Sequence, residues 1–375
     1  MKKMKKFLAF ACALAMVLSL AACGSKTSGT TTTTPTDSSS DVKTGFTFAL
    51  LVPTMNHTYF ENAVTFAQSV CDTLGCTLTV YNADSSADTM IKNVEDAVNS
   101  GADAIIIDPY YSSGTKCAEE CKTAGIPMIA WDSDIEEFDP QTTYDSYVGF
   151  VGPDDEDAGY NMACYLFDHT TASADGTMYI GVIQGTPGTA VAANREKGFD
   201  KAYDEYTAKG VKISVVGRVD GDFNAETSQN VTEDLVQANP NINGIWAANG
   251  GTGTGVMNAL TNLGYTPGKD VTVVAMDMNP ENVKAVQDGT LAYDIGGHWL
   301  VAGDAIIMAF DYLNGYQLTT PKWIMKLLPI TQDNVQTFYD DFPNNVPVNF
   351  DIKSACQAYG GSADYASFDV NQMLG

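Results

Sequence analysis

The chain has 375 residues, and 20 Lys and Arg against 46 Asp and Glu give it a formal net charge of −26. This length is enough for two domains, each with a core of its own. The acidic balance repels phosphate backbones and anionic headgroups, so it argues against binding to nucleic acid or electrostatic binding to a membrane surface.

The first residues have the pattern of an export signal. Lysines precede an apolar run over 7–20, which is followed by small residues and Cys23. The run is too short to span a bilayer stably. Leu20-Ala21-Ala22-Cys23 resembles the lipobox of bacterial lipoproteins, in which the cysteine becomes the N-terminus and carries lipid. The resemblance predicts a signal peptide over 1–22 and a lipid anchor at Cys23 on the outer face of the cell membrane; the alternative is an ordinary signal peptide.

A low-complexity segment follows the predicted anchor. Residues 23–44 are mostly Ser, Thr, Gly and Lys, with almost nothing apolar to bury. Such a segment cannot offset the entropy of ordering, so it predicts a flexible tether. A folded region is expected to begin near Phe46.

Strand and helix patterns then alternate along the chain in two series. The first series predicts strands over 46–52, 77–81, 104–107 and 127–131, with helices over 57–74, 88–99 and 113–124. The second predicts helices over 154–169, 190–208, 225–238 and 253–263, with strands over 177–183, 211–217, 243–247 and 271–276. Continuous apolar runs such as Ala-Ile-Ile-Ile are typical of strands covered on both faces. The predicted fold is α/β, with two doubly wound parallel sheets.

The two series are similar to each other around two aspartates. Asp132 and Asp277 each follow a predicted strand in corresponding positions of the two halves. Ligands of open parallel sheets bind at the carboxyl ends of the strands. We therefore expect these aspartates on opposite walls of one cleft.

Six cysteines remain after the signal region, at 71, 76, 117, 121, 164 and 356. Their spacing does not match a zinc site. The interpretation favoured here is buried thiols, because Cys117 and Cys121 share a helix face. A Cys71–Cys76 disulfide is the alternative in an exported protein.

A glycine-rich segment over 250–255 imitates a dinucleotide-binding loop, because it follows a strand and opens a helix. The spacing fails, since the third required glycine falls on Val256. We interpret the segment as a loop whose backbone N–H groups approach a small ligand.

Two further segments are candidates for ligand contact. Asn56 either caps the first long helix or, with His57, donates hydrogen bonds to a ligand, and the rings of Tyr59 and Phe60 either enter the core or cover the ligand. Arg195 follows a Gly/Pro loop at the end of a strand, where a guanidinium suits hydroxyl or carboxylate recognition.

From Phe46 to about Val335 the chain resembles the type I periplasmic sugar-binding proteins, the ribose-binding-like receptors of ABC importers. The matching segments are Asn56 with Tyr59-Phe60, 101–109, 125–132, Arg195 with Gly198-Phe199, Asp222-Phe223, Ala248-Asn249, 274–277 and 330–335. The resemblance implies two Rossmann-like lobes that are joined by three crossings, near 149–152, 296–299 and 326–330. It assigns 46–150 plus 298–326 to an N-terminal lobe and 151–297 plus 327–375 to a C-terminal lobe. Residues 336–375 extend beyond the usual end of the family and have no predicted role.

The same resemblance implies a sugar site. In the family, the aromatic pair and the counterpart of Phe223 sandwich the sugar, and the counterparts of Asp132, Arg195, Asn249 and Asp277 bind its hydroxyls. This chain departs from the family with Ser133 in place of an arginine, Gly250 in place of an aspartate, and His298 near the usual hinge glutamine. Trp131 and Trp299 are left open between added ligand contacts and core packing. The predicted ligand-binding residues are Asn56, His57, Tyr59, Phe60, Asp132, Ser133, Arg195, Phe223, Asn249, Asp277 and His298.

The resulting hypothesis is an extracytoplasmic, lipid-anchored, monomeric receptor. It would deliver a monosaccharide to ABC permease subunits by ligand-induced closure of its lobes, without a cofactor, a metal or catalysis. The alternatives are a receptor for a polyol, a furanone-like signal or a nucleoside, and an exported enzyme that acts on sugars through Asp132 and Asp277.

Overall fold

The computed structural model describes residues 42–109, 111–135, 137–363 and 365, with Tyr111 and Asn345 described for their backbone alone. The predicted signal peptide, Cys23 and the tether up to residue 41 lie outside the described residues. The described chain begins at Val42, a few residues before the predicted start of the folded region. Lys43 is fixed there, because its backbone N–H donates to Asn314 Oδ1 at 2.8 Å.

Strands and helices alternate through most of the described chain. The first part contains β1 (Thr47–Val52), α1 (Thr58–Leu74), β2 (Thr77–Asn82), α2 (Ala87–Asn99), β3 (Ala104–Ile107), α3 (Gly114–Ala124), β4 (Met128–Trp131) and β5 (Tyr147–Pro153). The second part contains α4 (Asp155–His169), β6 (Met178–Gln184), α5 (Ala190–Ala208), β7 (Ile213–Asp220), α6 (Ala225–Ala238), β8 (Gly244–Ala247), α7 (Gly250–Asn262), β9 (Thr272–Met276), α8 (Pro280–Asp288) and β10 (Tyr293–Gly296).

The remaining elements follow a short 3₁₀ turn over His298–Leu300. They are α9 (Val301–Leu313), β11 (Lys322–Met325), β12 (Leu328–Ile330), α10 (Val335–Asp341) and α11 (Ile352–Ala355). A last 3₁₀ turn spans Gln357–Tyr359. No helix of the described ranges is both long and apolar enough to cross a membrane.

Two six-stranded sheets organise these elements. The first sheet has the order β11-β5-β4-β3-β1-β2 and is parallel throughout. The second has the order β12-β10-β9-β8-β6-β7, with β12 alone antiparallel to its neighbour. Central strands such as β3 and β8 are buried at every residue, because helices cover both faces of the sheets. The predicted doubly wound α/β fold is confirmed.

The chain passes from one sheet to the other three times, as predicted. The crossings follow β5, β10 and β11, so β5 itself belongs to the first sheet where the sequence had suggested a hinge segment. Of the six cysteines after the signal, Cys71, Cys117, Cys121 and Cys356 are buried and the other two are half-buried, and all six are free thiols. The favoured interpretation of buried thiols is therefore confirmed for four of the six cysteines.

The last described residues form a further passage between the two sheets. Helix α10 packs on α8, beside the second sheet, whereas α11 packs on α1 and the last 3₁₀ turn packs on α9, both beside the first. Residues 342–361, here called the C-terminal strap, connect these two places. The sequence-based division assigned all of 327–375 to the second lobe, and residues 352–359 contact helices beside the first sheet. Local patterns could not show this, because the contacts are to elements far away in sequence.

One buried carboxyl group fixes the end of the C-terminal strap. Asp311 on α9 is fully buried, and its Oδ2 and Oδ1 accept hydrogen bonds from the backbone N–H groups of Gln357 at 2.8 Å and Ala358 at 3.0 Å. The hydroxyl of Tyr365 also donates to Oδ2, at 3.1 Å. Backbone N–H groups that lose such a partner while buried are costly.

We expect Asp311→Ala to lower the free energy of unfolding by about 1–3 kcal/mol, because it leaves buried N–H groups of the strap without acceptors. Urea denaturation followed by circular dichroism measures the change. Asp204→Ala, at an exposed position of α5, is the matched control and should change stability little. Equal stability of Asp311→Ala and the unaltered protein would show that the strap is not held by this carboxyl group.

Candidate functional site

A cavity of about 550 Å³ lies where the carboxyl ends of strands from both sheets face each other. Asp132 follows β4 of the first sheet and Asp277 follows β9 of the second, and both line this cavity. The two aspartates thus occupy opposite walls, here called the first wall and the second wall after their sheets.

Most of the residues predicted from the sequence come together here. The cavity is lined by His57, Tyr59, Phe60, Asp132, Ser133, Arg195, Phe223, Asn249, Asp277 and His298. Asn56 is not among the lining residues: it is exposed, and its backbone N–H donates to Thr54 Oγ1 at 3.2 Å. Nor does Asn56 cap α1, since the N-cap residue is His57, without a side-chain capping bond.

The backbone turns sharply where the strands deliver these side chains. Positive φ angles occur at Asp132 (62°), Phe223 (52°) and Asp277 (91°), in a region that residues other than glycine seldom adopt. Phe223 is unusual there, because bulky side chains are strained in this conformation. Strain concentrated at one cavity is typical of a site whose side-chain directions matter.

Aromatic rings form much of the first wall. The rings of Tyr59 and His298 are stacked with centroids 4.6 Å apart, and Phe60 meets Tyr59 edge to face at 5.1 Å. Trp131 supports Phe60 from behind at 6.1 Å and is fully buried. Trp299 is also fully buried and packs against Phe338 and Phe342. Both tryptophans are therefore core residues, which resolves the alternatives left open by the sequence.

Arg195 is the buried cation of the second wall, with 5% of its side chain exposed. Its Nε donates to Asp155 Oδ1 at 2.7 Å, and its Nη1 donates to the carbonyl oxygen of Ala248 at 3.0 Å. The same Nη1 lies 3.9 Å from Asp277 Oδ1. The guanidinium also lies over the ring of Phe223, 5.6 Å from its centroid. These contacts hold the charged group at the cavity surface.

Asp277 is held as a carboxylate. Burial acts to raise its pKa, but hydrogen bonding and charge from His298, the charge of Arg195 and the N–H of Gly250 outweigh burial and lower the pKa below its usual range. The distances are 3.4 Å from Oδ1 to His298 Nε2 and 3.0 Å from Oδ2 to the Gly250 nitrogen. Asp277 is therefore a charged acceptor on the second wall at neutral pH.

In the first wall, by contrast, the pKa values of the carboxyl groups are raised. Burial raises the pKa of Asp132, although His298, the Tyr59 hydroxyl and Arg195 act against it. Tyr59 donates its hydroxyl to Asp132 Oδ1. Burial, and then the charge of Asp132, raise the pKa of Asp108 well above its usual range. The first wall thus holds two neighbouring acidic groups that are costly to ionise.

Sequence reasoning missed Asp108 as a site residue. It is 2% exposed, lines the cavity, and directly follows β3. The position after a central strand was the signal that singled out Asp132 and Asp277, and it applied equally to Asp108. Other lining residues that were not predicted include Ser85, Asp222, Thr186 and Thr189.

The glycine-rich loop does not have the predicted role. The N–H of Gly250 donates to Asp277, and the N–H of Thr252 donates to Asn249 Oδ1 at 2.8 Å, so these groups are used within the protein. A Cβ on Gly250 would lie 2.4 Å from Asn279 Nδ2. Glycine is needed there for close packing, while Asn249 caps α7 and lines the cavity.

Within the described ranges, no group of His, Cys, Asp and Glu side chains has the arrangement of a metal site. The cavity instead combines aromatic faces, carboxyl groups and one guanidinium. A sugar presents apolar C–H faces and polar hydroxyl edges, which such a surface complements.

Comparison with known proteins agrees with this geometry. The family model described as "Periplasmic binding protein domain" matches residues 48–317. The ribose import binding protein of Bacillus subtilis (strain 168) is 26% identical over 280 residues, which cover 74% of this chain and 85% of that protein. The galactofuranose-binding protein of Escherichia coli (strain K12) is 28% identical over 255 residues, 67% of this chain and 76% of that protein.

Solved structures share the fold. The structure of a galactofuranose binding protein has a TM-score of 0.71 and 24% identity, and covers 79% of this chain and 98% of its own. A periplasmic sugar-binding protein from Pseudomonas fluorescens has a TM-score of 0.75 and 22% identity, with coverage of 87% and 99%. Since the family model matches well over half of the sequence, this chain belongs to the periplasmic binding protein family.

Proposed function

We propose that this protein is an extracytoplasmic receptor that binds a sugar between its two lobes and delivers it to an ABC importer. The observation that carries the proposal is the cavity itself, which receives aromatic rings and carboxyl groups from the first wall and Arg195, Asp277 and Phe223 from the second. The curated relatives named above are binding proteins for sugars, which supports the same ligand class.

Each group in the cavity has a task in this proposal. The rings of Tyr59, Phe60 and Phe223 cover the C–H faces of the sugar. Asp277 accepts hydrogen bonds from hydroxyl groups, and Arg195 donates to ring or hydroxyl oxygens. Because the contacts come from both walls, a ligand binds the closed arrangement of the lobes better than an open one and shifts the equilibrium toward it. The permease then distinguishes the closed receptor from the open one.

The location is proposed from the N-terminal sequence. A lipid on Cys23, followed by a Ser/Thr-rich segment, would keep a monomeric receptor close to the outer face of the membrane. Incorporation of labelled fatty acid into the protein tests the anchor, and we expect Cys23→Ala to abolish it. Undiminished labelling of that variant would place the modification elsewhere.

A polyol is the second ligand class, and one relative favours it. The xylitol-binding protein of Mycolicibacterium smegmatis is 28% identical over 270 residues, 68% of this chain. A polyol offers the same hydroxyl groups without a rigid ring.

A thermal-shift screen of the purified protein against monosaccharides, disaccharides, polyols and nucleosides tests the proposal. A ligand at 100 times its Kd stabilises the protein by about 2.7 kcal/mol, which gives a clear shift. We expect a hit among sugars, with the compound recovered unchanged. A shift from nucleosides alone would exclude the sugar, and conversion of the compound would point to an enzyme.

With the ligand found, we expect Asp277→Asn to weaken binding at least tenfold, about 1.4 kcal/mol, because the charged acceptor is replaced by a neutral amide. Asparagine tolerates the positive φ of this position, so the fold should remain. Titration calorimetry measures the affinity, and Asp234→Asn, exposed on α6, is the matched control. An affinity equal to that of the control would remove Asp277 from the site.

We expect the arrangement of acids in the first wall to lower the free energy of unfolding of the ligand-free protein. Burial raises the pKa of Asp108 above that of the unfolded chain, so ionisation destabilises the folded protein at neutral pH. We expect Asp108→Asn to raise the free energy of unfolding of the ligand-free protein at pH 7.5. The gain should shrink as pH falls through the folded pKa toward about 3.9, where the unfolded carboxyl is protonated too.

Urea denaturation at several pH values between 4 and 8 measures this difference, with Asp234→Asn as the control for a carboxyl group lost from the surface. A gain that stays constant with pH would show that the ionisation of Asp108 does not burden the folded state.

A further inference from the structure

One side-chain oxygen of Asp108 has no hydrogen-bond partner among the described residues. This atom is Oδ1, and the side chain is buried at the cavity. A buried acceptor without a partner costs free energy, and such atoms in a binding cavity are commonly completed by the ligand. The neighbouring Asp132 is served by the Tyr59 hydroxyl, so Asp108 is the incomplete member of the pair.

Among the described residues, the first wall brings no Lys or Arg to this pair, although the charge of His298 acts on Asp132. Burial lowers the pKa of His57, so that its ring is neutral at pH 7. Ser133, the residue next to Asp132, is uncharged and also lines the cavity. Two adjacent carboxyl groups therefore face the cavity, with Tyr59 and Ser133 as their neighbouring hydrogen-bond donors.

The second wall does not compensate for this. Arg195 is its one lining cation among the described residues, and it is already bound to Asp155 and to the carbonyl oxygen of Ala248, with Asp277 nearby. Its charge is matched by carboxylates of its own wall. A neutral sugar can donate a hydroxyl to Asp108, but it brings no positive charge to this carboxyl group, whereas the charges of His298 and Arg195 already act on Asp132.

We infer that the ligand is an amino sugar whose ammonium group binds between Asp108 and Asp132, opposite Arg195. An ammonium has three donors and no acceptor, so it can complete Asp108 Oδ1 and contact Asp132 at once. Charge-assisted hydrogen bonds of this kind are roughly twice as strong as neutral ones. The inference rests on the proposed function, since it names the sugar class for the same cavity.

Titration calorimetry on the full chain at pH 7 tests it, with glucosamine, galactosamine and mannosamine as probes. Each is compared with its parent hexose and with its N-acetyl derivative, which lack the charge. We expect at least one amino sugar to bind tenfold or more tightly than both of its neutral counterparts. Asp108→Asn should reduce that preference at least tenfold, whereas Asp234→Asn should retain it.

The outcomes separate the two claims. Equal or tighter binding of the neutral hexoses by the unaltered protein would overturn the amino-sugar assignment and leave the sugar receptor standing. A preference that survives in Asp108→Asn would also overturn it, because the ammonium would then bind elsewhere. Binding of neither class, with a different solute found in the thermal screen, would overturn both the inference and the proposed function.

Discussion

The buried guanidinium of Arg195 is the constraint on which the second wall depends. It joins the start of α4 through Asp155, the end of β8 through Ala248, and lies near Asp277 after β9. A buried charge is tolerated only when it is paired and hydrogen-bonded, so these segments must keep their places. Helices α4 and α5 can approach this closely because residue 159 is glycine: a Cβ there would lie 2.0 Å from the Arg195 carbonyl oxygen.

The two walls differ in how they meet the cost of buried acids. Asp277 is stabilised as an anion by His298, Arg195 and a backbone N–H, whereas Asp108 and Asp132 are less well served and resist ionisation. The acid of the second wall is therefore stabilised by the protein itself, whereas a ligand can further stabilise the acids of the first wall. A ligand that donates to Asp108 supplies the partner that this carboxyl group lacks, and one that also reaches Asp277 gains a charged acceptor from the second wall.

Sequence patterns predicted the fold and much of the cavity because both depend on local regularities. Strands buried in a parallel sheet have runs of apolar residues, and the residue that follows such a strand lies at the edge of the sheet where ligands bind. This rule located Asp132 and Asp277. The same rule was not applied to Asp108. The sequence patterns did not indicate β5, where the resemblance placed a crossing. They did not indicate the strap either, because Asp311 binds backbone N–H groups some 46 residues away, which leave no pattern in the sequence.

The central claim is that one sugar is held by both walls at once, and a crystal structure of the protein with its ligand tests it most directly. We expect electron density for a single ligand molecule in the cavity. Asp132 would lie within hydrogen-bonding distance on one side and Arg195 or Asp277 on the other, with the rings of Tyr59, Phe60 or Phe223 against its C–H faces. A ligand bound to one wall alone, or outside the cavity, would contradict the account.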